Sequence, residues 1–485
     1  EKISKIADNF SKASEDTKFL TSQIREGKGT LGKLFMGEGL IAEAEKSLKS
    51  FQAAGDSIAQ AGEKVKVVDS RDEPPGLAAL KELYPDVEYE LGDFNLQTFI
   101  TAKQLVVSPG LSIRCAEIEA AKKAGVAITG DIDIFSKQVA APIIAVTGSN
   151  GKSTVVAMLA EILRKAGKNF GLGGNLDGDN FKPALDLIAE GEKDLYLLEL
   201  SSFQLETTES LGAWVATILN FSADHMDRYE GIDDYHRAKL RIFIGCKQVV
   251  INRDVKESYP LEKNGAAVWD FGFGRAGVNG LGLLEEGEDQ YIAYQLEKIV
   301  SVNELKVFGR HNISNVLAAV ALAMAIDIDM NAIKAAITEF CGLPHRCQWV
   351  ANIEGVDFYN DSKGTNVGAT VAAVEGLGEH ISGHIVLIAG GIAKGANFAA
   401  LVPAMNKWGK VLILIGQDAA EMASYFDKET QTYFASDMQD AARVALQHST
   451  AGDAVLLSPA CASFDMFENF QHRGFAFMKS VETLQ

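Results

Sequence analysis

The stretch Ile143 to Leu159, IIAVTGSNGKSTVVAML, constrains this chain more than any other. An apolar, β-branched run, Ile143 to Thr147, reads as a buried strand. Gly148, Ser149, Asn150 and Gly151 make a turn. Lys152, Ser153 and Thr154 then open a helix that continues VVAMLAEILRKAG. Strand, glycine turn, Lys-Ser-Thr and helix form the layout of a phosphate cradle. Backbone N–H groups at the helix start point at an anion, and the helix dipole favours negative charge there. Lys152 can reach outer phosphates, and a Ser or Thr hydroxyl can ligate Mg²⁺. The usual first glycine of such a loop falls at Val146, so this is a short variant, GxxGK[ST]. A chance turn is the alternative for so short a pattern. Its placement between strand and helix favours nucleotide binding.

At 485 residues the chain has room for about three domains. Apolar residues make up 47% and charged residues 23%, a balance that permits large buried cores. The net charge of −19 argues against nucleic-acid or anionic-lipid partners, although a locally built site still accepts an anionic substrate. No apolar run reaches the ~18 residues of a membrane span. No signal peptide is expected at the start, and Glu1 is compatible with a segment upstream. Cys115, Cys246, Cys341, Cys347 and Cys461 are odd in number and form no CxxC, which points to reduced thiols in a cytoplasmic enzyme.

Residues 1–62 differ from the rest. They are rich in Lys, Glu, Ser and Ala and read as a helical extension interrupted by GKGTLGKLFMGEGL, Gly27 to Leu40. That turn resembles those in the tail region of MCE-type lipid-transport proteins. From Lys64 the pattern becomes strand–helix alternation: VKVVDSR, LVVSPG and VAITGD read as strands of a Rossmann-like domain, 63–137, with no glycine-rich first strand before them. Asp69 follows no GxGxxG, so no dinucleotide site is expected. The central domain, 138–342, holds the phosphate loop. Glu199 ends the buried strand Tyr196 to Leu200, where a carboxylate is costly unless paired or metal-bound; it is either a Mg²⁺ ligand or a core-edge glutamate paired with a base. His225 follows another strand, as a ligand or a structural histidine. His311, Asn312 and Asn315 open a long apolar helix, as amide contacts to a base or as caps. The C-terminal domain, 343–485, again alternates strands and helices, with polar turns such as FYNDSKGTN and SPACASFDMFENFQHRG at strand ends.

TGSNGKST, LELSSFQLE, NFSADHMDRY, YHRAKLRIF, GRHNISN, GLPHRCQ, NDSKGTN and LLSPACASFDMFENFQHRG resemble, in order, the motifs of the Mur ligases. The resemblance covers about residues 64–485. It implies a three-domain α/β fold with a P-loop ATPase-like centre, acting as a monomer. It also implies ATP-dependent addition of D-glutamate to UDP-N-acetylmuramoyl-L-alanine through an acyl phosphate, in peptidoglycan precursor synthesis. On this likeness Gly148, Asn150, Gly151, Lys152, Ser153 and Thr154 hold ATP, and Ser153 and Glu199 hold one Mg²⁺. His225 is similar to a second Mg²⁺ ligand, and Lys239 to a lysine that the family carbamylates, turning a repelling ammonium into a metal ligand. Lys152, Glu199, His225 and Lys239 are thus the expected catalytic set. Ser70 and Arg71 resemble a uridine-side pair, and Asn175 a contact to the muramoyl-alanine end. Asn315, Arg346 and Asp361 resemble ATP-side contacts. Lys363, Thr365, Ser463 and Phe470 resemble a D-glutamate pocket, where a cation and hydroxyls suit a dicarboxylate.

Two departures from the family pattern carry expectations. Without the first strand, Val65 to Val68 and Leu105 to Val107 keep unpaired edges, which predicts weak nucleotide-sugar binding. Ile392 in GGIAKGANF stands where many members carry Asp, with Lys394 retained. The competing readings are an ATP-binding chimera that does no chemistry and a folylpolyglutamate synthetase-like ligase. The DSKGTN and SPACASFDMF loops argue against the second.

Overall fold

A computed structural model describes residues 64–484 except 75, 177–181, 223–227, 263–264, 288, 308, 394 and 427–429. The expected helical extension, His225 and Lys394 therefore lie outside the described residues. The chain divides into two compact units. The first runs to Leu283 and takes in Ala293–Glu297 and Ala318–Ile333; the second comprises Leu284–Ile292, Lys298–Leu317 and Lys334–Gln485.

The first unit opens with four short strands, β1 (Lys66–Asp69), β2 (Glu88–Leu91), β3 (Gln104–Val106) and β4 (Ala127–Thr129). They form two separate two-stranded parallel sheets, β1 with β2 and β3 with β4. Among the described residues β1 and β3 each have a single strand neighbour. Strand β2, EYEL, is not among the strands that the sequence pattern marks.

Six parallel strands follow: β5 (Ile143–Thr147), β6 (Phe170–Gly174), β7 (Leu195–Glu199), β8 (Val215–Ile218), β9 (Gln248–Asn252) and β10 (Ala267–Phe271). Their spatial order is β10-β9-β8-β5-β7-β6. Every residue of β5, β7 and β8 is buried, as a sheet covered on both faces requires. The chain leaves β5 towards β6 and β7 on one side and returns to β8 on the other. The carboxyl end of β5 is thus the switch point where such sheets take ligands. The glycines of β6 are a packing device: a Cβ on Gly171 would lie 2.5 Å from the Tyr196 ring. Three site helices are labelled α1 (Lys152–Lys165), α2 (Ser202–Glu206) and α3 (Ile232–Leu240). Strands β11 (Gly280–Glu286), β12 (Asp289–Tyr294) and β13 (Glu297–Ser301) are shared between the units, as is helix α4 (Arg310–Ala325).

The second unit holds a six-stranded sheet: β14 (Gln348–Ile353), β15 (Val356–Asn360), β16 (Ile385–Gly390), β17 (Gly409–Ile415), β18 (Gln431–Phe434) and β19 (Ala454–Leu457). The order is β14-β15-β19-β16-β17-β18, with β14 antiparallel to β15 and the remaining pairs parallel. Period-two alternation divides its core. Leu387, Leu412 and Leu456 pack with Val374 and Phe398 on one face; Val386, Ile413 and Val455 pack with Phe358 and Phe477 on the other. Phe477 lies on the last helix, α5 (Phe470–Glu482). No described helix is long and apolar enough to cross a membrane.

Candidate active site

The phosphate loop is built as its sequence implies. Gly148 and Gly151 have φ of 159° and 79°, and Gly151 caps α1 from the left-handed region that glycine adopts without steric strain. The loop is held from behind by the segment after β8. Asn150 N–H donates to Asn220 Oδ1 at 2.8 Å, and Asn220 Nδ2 returns a bond to Asn150 O at 2.9 Å. Ser149 Oγ donates to Ser222 O at 3.0 Å and accepts from Ser222 N–H. Lys152 folds back over the loop, its Nζ donating to the Gly148 and Ser149 carbonyls at 3.0 and 3.1 Å. Ser153 and Thr154 occupy the first turn of α1, Thr154 buried.

Lys239, near the end of α3, is 2% exposed. Its Nζ donates to Gly148 O at 3.0 Å and lies 4.7 Å from the centroid of the Tyr235 ring. In sequence Lys239 is 91 residues from Gly148; the fold brings its amine onto the loop. Glu199 ends β7 next to β5 and is also 2% exposed. Asn175 Nδ2 donates to its Oε1 at 3.4 Å, and Asn175 N–H to its backbone carbonyl at 2.7 Å. The approach is close: a Cβ on Gly174, whose φ is 95°, would stand 2.2 Å from the Glu199 carbonyl oxygen. Behind Glu199, Ser201 and Gln204 form a capping box that opens α2. Among the described residues no three His, Cys, Asp or Glu side chains cluster as a metal site. The expected donor set is instead mixed, with Ser153, Glu199 and Lys239 described. A buried carboxylate and a helix-opening hydroxyl are the donor types that a hard, oxygen-preferring cation takes.

At the carboxyl end of β1, Ser70 is exposed and Arg71 half-buried. The Arg71 guanidinium makes a two-pronged pair with Asp69, Nε to Oδ1 at 2.8 Å and Nη2 to Oδ2 at 2.7 Å. Hydrogen bonding to Asp69 raises the Arg71 pKa further, so this side chain is a fixed cation.

In the second unit, Asp361 is buried at the end of β15. Ser458 Oγ donates to its Oδ2 at 2.7 Å and Cys347 N–H to its Oδ1 at 3.1 Å. Burial pushes its pKa up to about 6, and these donors together with the Arg346 charge oppose that rise. Arg346 lies between two residues of positive φ, His345 at 60° and Cys347 at 44°, a strained turn of the kind that collects at functional sites. Asn315, buried on α4, donates from Nδ2 to Asn312 Oδ1 at 3.2 Å. Lys363 Nζ stands 4.1 Å from the Phe470 ring centroid, so two of the four expected D-glutamate residues touch. Ser463 is buried and Thr365 half-buried in the neighbouring turns. Ile392 is engaged through its backbone, bridging to Ala462 in both directions.

Three residues that the sequence does not single out hold turns of the site, two of them here and one at the phosphate loop. Arg473, 1% exposed on α5, donates from Nε to Ser362 Oγ at 3.0 Å, from Nη2 to Ser362 O at 2.8 Å and from Nη1 to Cys461 O at 3.1 Å. It ties the DSKGTN turn to the SPACAS turn. Asn360 Nδ2 donates to His345 Nδ1 at 2.9 Å and to Gly474 O at 3.2 Å. That bond leaves the ring proton on Nε2, and burial lowers the His345 pKa, keeping it neutral. Asn220 is the third. Arg473 lies inside a quoted motif, but nothing in its spacing signals a buried guanidinium.

Fold and site together define an α/β enzyme with a phosphate loop at the switch point of its central sheet. Three descriptions from one family match in succession: the MurD-like N-terminal domain at residues 54–130, the Mur ligase middle domain at 146–323 and the Mur ligase glutamate ligase domain at 345–461. The chain is 47% identical over 427 residues to the UDP-N-acetylmuramoylalanine–D-glutamate ligase of Pseudomonas aeruginosa, covering 88% of this chain and 94% of that protein. To the ligase of the same name from Marinobacter nauticus it is 47% identical over 423 residues, 87% and 94% covered. The fold matches the UDP-N-acetylmuramate-alanine ligase MurC of Thermotoga maritima with a TM-score of 0.56 at 18% identity, over 90% of this chain and 97% of that one. It also matches T. maritima MurF, solved with ADP, at 0.55 and 16%, over 76% and 92%. The chain belongs to the Mur ligase family.

Proposed function

We propose that this chain joins D-glutamate to UDP-N-acetylmuramoyl-L-alanine, with ATP as the driving reactant. A carboxylate is a poor electrophile and forms no amide unaided. An oxygen of the L-alanyl carboxylate attacks the γ-phosphorus of ATP, the bond to ADP breaks, and an acyl phosphate results. The D-glutamate amine attacks the acyl carbon, phosphate departs with the carbon–oxygen bond pair, and the amine loses a proton. Such a reaction runs on positioning and on stabilising phosphoryl charge. The loop amides, the start of α1 and Lys152 supply that positive field.

The observation that carries this reading is Lys239 on the phosphate loop, with Glu199 ending the strand paired to β5, in a chain so similar to these ligases along its length. Ser153 and Glu199 are the residues that would hold Mg²⁺, joined by His225 and by Lys239 once carbamylated. Bound there, the ion would offset phosphate charge. Carbamylation requires the neutral amine, the form that adds to CO₂. In the second unit Lys363, Ser463, Thr365 and Phe470 are assigned to D-glutamate, and Asn315, Arg346 and Asp361 to ATP. Dependence on ATP and a nucleotide-activated sugar fits an enzyme of the cytoplasm. Incubation with ATP, nucleotide sugar and isotopically labelled D-glutamate should yield a nucleotide product heavier by one glutamyl residue. The L-enantiomer should yield none. Equal incorporation of both enantiomers, or of neither, contradicts the reading.

A further inference from the structure

Arg228 sits where the turn after β3 meets α2 and α3. Its side chain is 11% exposed. Nη1 donates to Pro109 O at 2.6 Å and Nη2 to Leu111 O at 3.0 Å. Nη2 also reaches Glu206 Oε2 at 3.2 Å, and the guanidinium lies 3.9 Å from the Phe203 ring centroid. Arg114, from the far side of the same turn, donates from Nη1 to Glu206 Oε1 at 2.5 Å and from Nη2 to Asp234 Oδ2 at 2.6 Å. Glu206, 3% exposed, is therefore shared by two guanidinium groups. Charge-assisted, forked bonds of this kind fix geometry as well as adding energy.

The packing continues to the phosphate loop. Tyr229 packs against Phe203 at 6.0 Å and Tyr235 at 5.2 Å between ring centroids. The Tyr235 hydroxyl is 3.3 Å from Ser149 Oγ, and its ring underlies Lys239 Nζ. The turn that Arg228 holds follows the carboxyl end of a parallel strand, where α/β sheets place their ligands. Nothing about phosphate binding alone requires a loop from the preceding domain to be fastened here.

We infer that Arg228 is a positioning residue for the nucleotide sugar, fixing the turn Pro109–Leu111 against the ATP-binding sheet so that the acceptor carboxylate meets the phosphate loop. This rests on the ligase reading above. Glu206 and Arg114 complete the fastening. Lysine keeps the charge near Glu206 but cannot span that carboxylate and two carbonyls at once.

The test is R228K, with R114K as a second variant. The wild type is first assayed for phosphate release dependent on both substrates; failure there removes the ligase reading and leaves the fastening to be judged by amide exchange. For R228K, KM for the nucleotide sugar should rise roughly tenfold, as loss of one or two charge-assisted bonds implies. KM for ATP and D-glutamate should stay within about twofold, and amides 108–115 should exchange faster. R114K should give the same split. A merely structural arginine would lower thermal stability and leave the three KM values in proportion. An unchanged nucleotide-sugar KM, a parallel rise in the ATP KM, or unchanged exchange at 108–115 overturns the inference.

Discussion

Asp361 shows how a single buried carboxyl registers in both stability and activity. Its pKa of about 6 in the folded chain lies above the ordinary 3.8. The folded state therefore binds the proton more tightly than the unfolded state. This group's contribution to stability is complete below about pH 4, is lost as the pH rises through about 6, and is flat above that. Asp361→Asn removes the ionisation, so the variant should gain thermal stability relative to wild type at pH 7.5 compared with pH 4.5. An equal difference at the two pH values contradicts the assignment. With the carboxylate as an ATP-side contact, wild-type kcat/KM should fall as the pH drops below about 6. At Lys239 the expectation concerns chemistry: Lys239→Ala should lose at least about a hundredfold in kcat, because charge stabilisation of this kind is worth several kcal/mol. Stripping CO₂ from the buffer should lower wild-type activity, and bicarbonate should restore it. Activity indifferent to CO₂ would rule out the carbamate.

Among the elements, the phosphate loop depends on a neighbour it does not contain. Asn220 brackets Asn150 with two hydrogen bonds, so Asn220→Ala should raise KM for ATP roughly tenfold while sparing the D-glutamate KM. Titration of the two substrates separately checks this. On α5, Arg473→Met leaves Ser362 and Cys461 carbonyls short of donors in a buried site, a destabilisation of roughly 3 kcal/mol by urea unfolding. The loop-forming residues were legible because Gly148 to Thr154 is contiguous and each residue type has a local reason. Glu199 was legible as a carboxylate ending a buried strand, and Lys239 only through the pattern of motifs. Asn220, Asn360 and Arg473 were not, because their roles are tertiary: each joins turns that only the folded sheet brings together. The β6 strand carries no β-branched run to mark it, and the Tyr196 ring against Gly171 shows why glycines sit in it.

At the level of the whole chain, alternation of strands and helices was enough to read three α/β domains, since hydrophobic periodicity is local. Pairing is not, and β2 entered the account only with the structure. Among the described residues β1 and β3 each keep one open edge, and the expectation of weak nucleotide-sugar binding belongs to that end of the chain. The KM for that sugar should exceed that of the P. aeruginosa ligase measured alongside by several-fold, with KM for ATP comparable; equal nucleotide-sugar values contradict this. The central claim is that the chain couples ATP cleavage to amide formation. Phosphate release from ATP, followed with nucleotide sugar present and D-glutamate added or withheld, tests it most directly. Sustained release that requires both substrates is predicted. Release with ATP alone, or none with both substrates while ATP still binds, would contradict it.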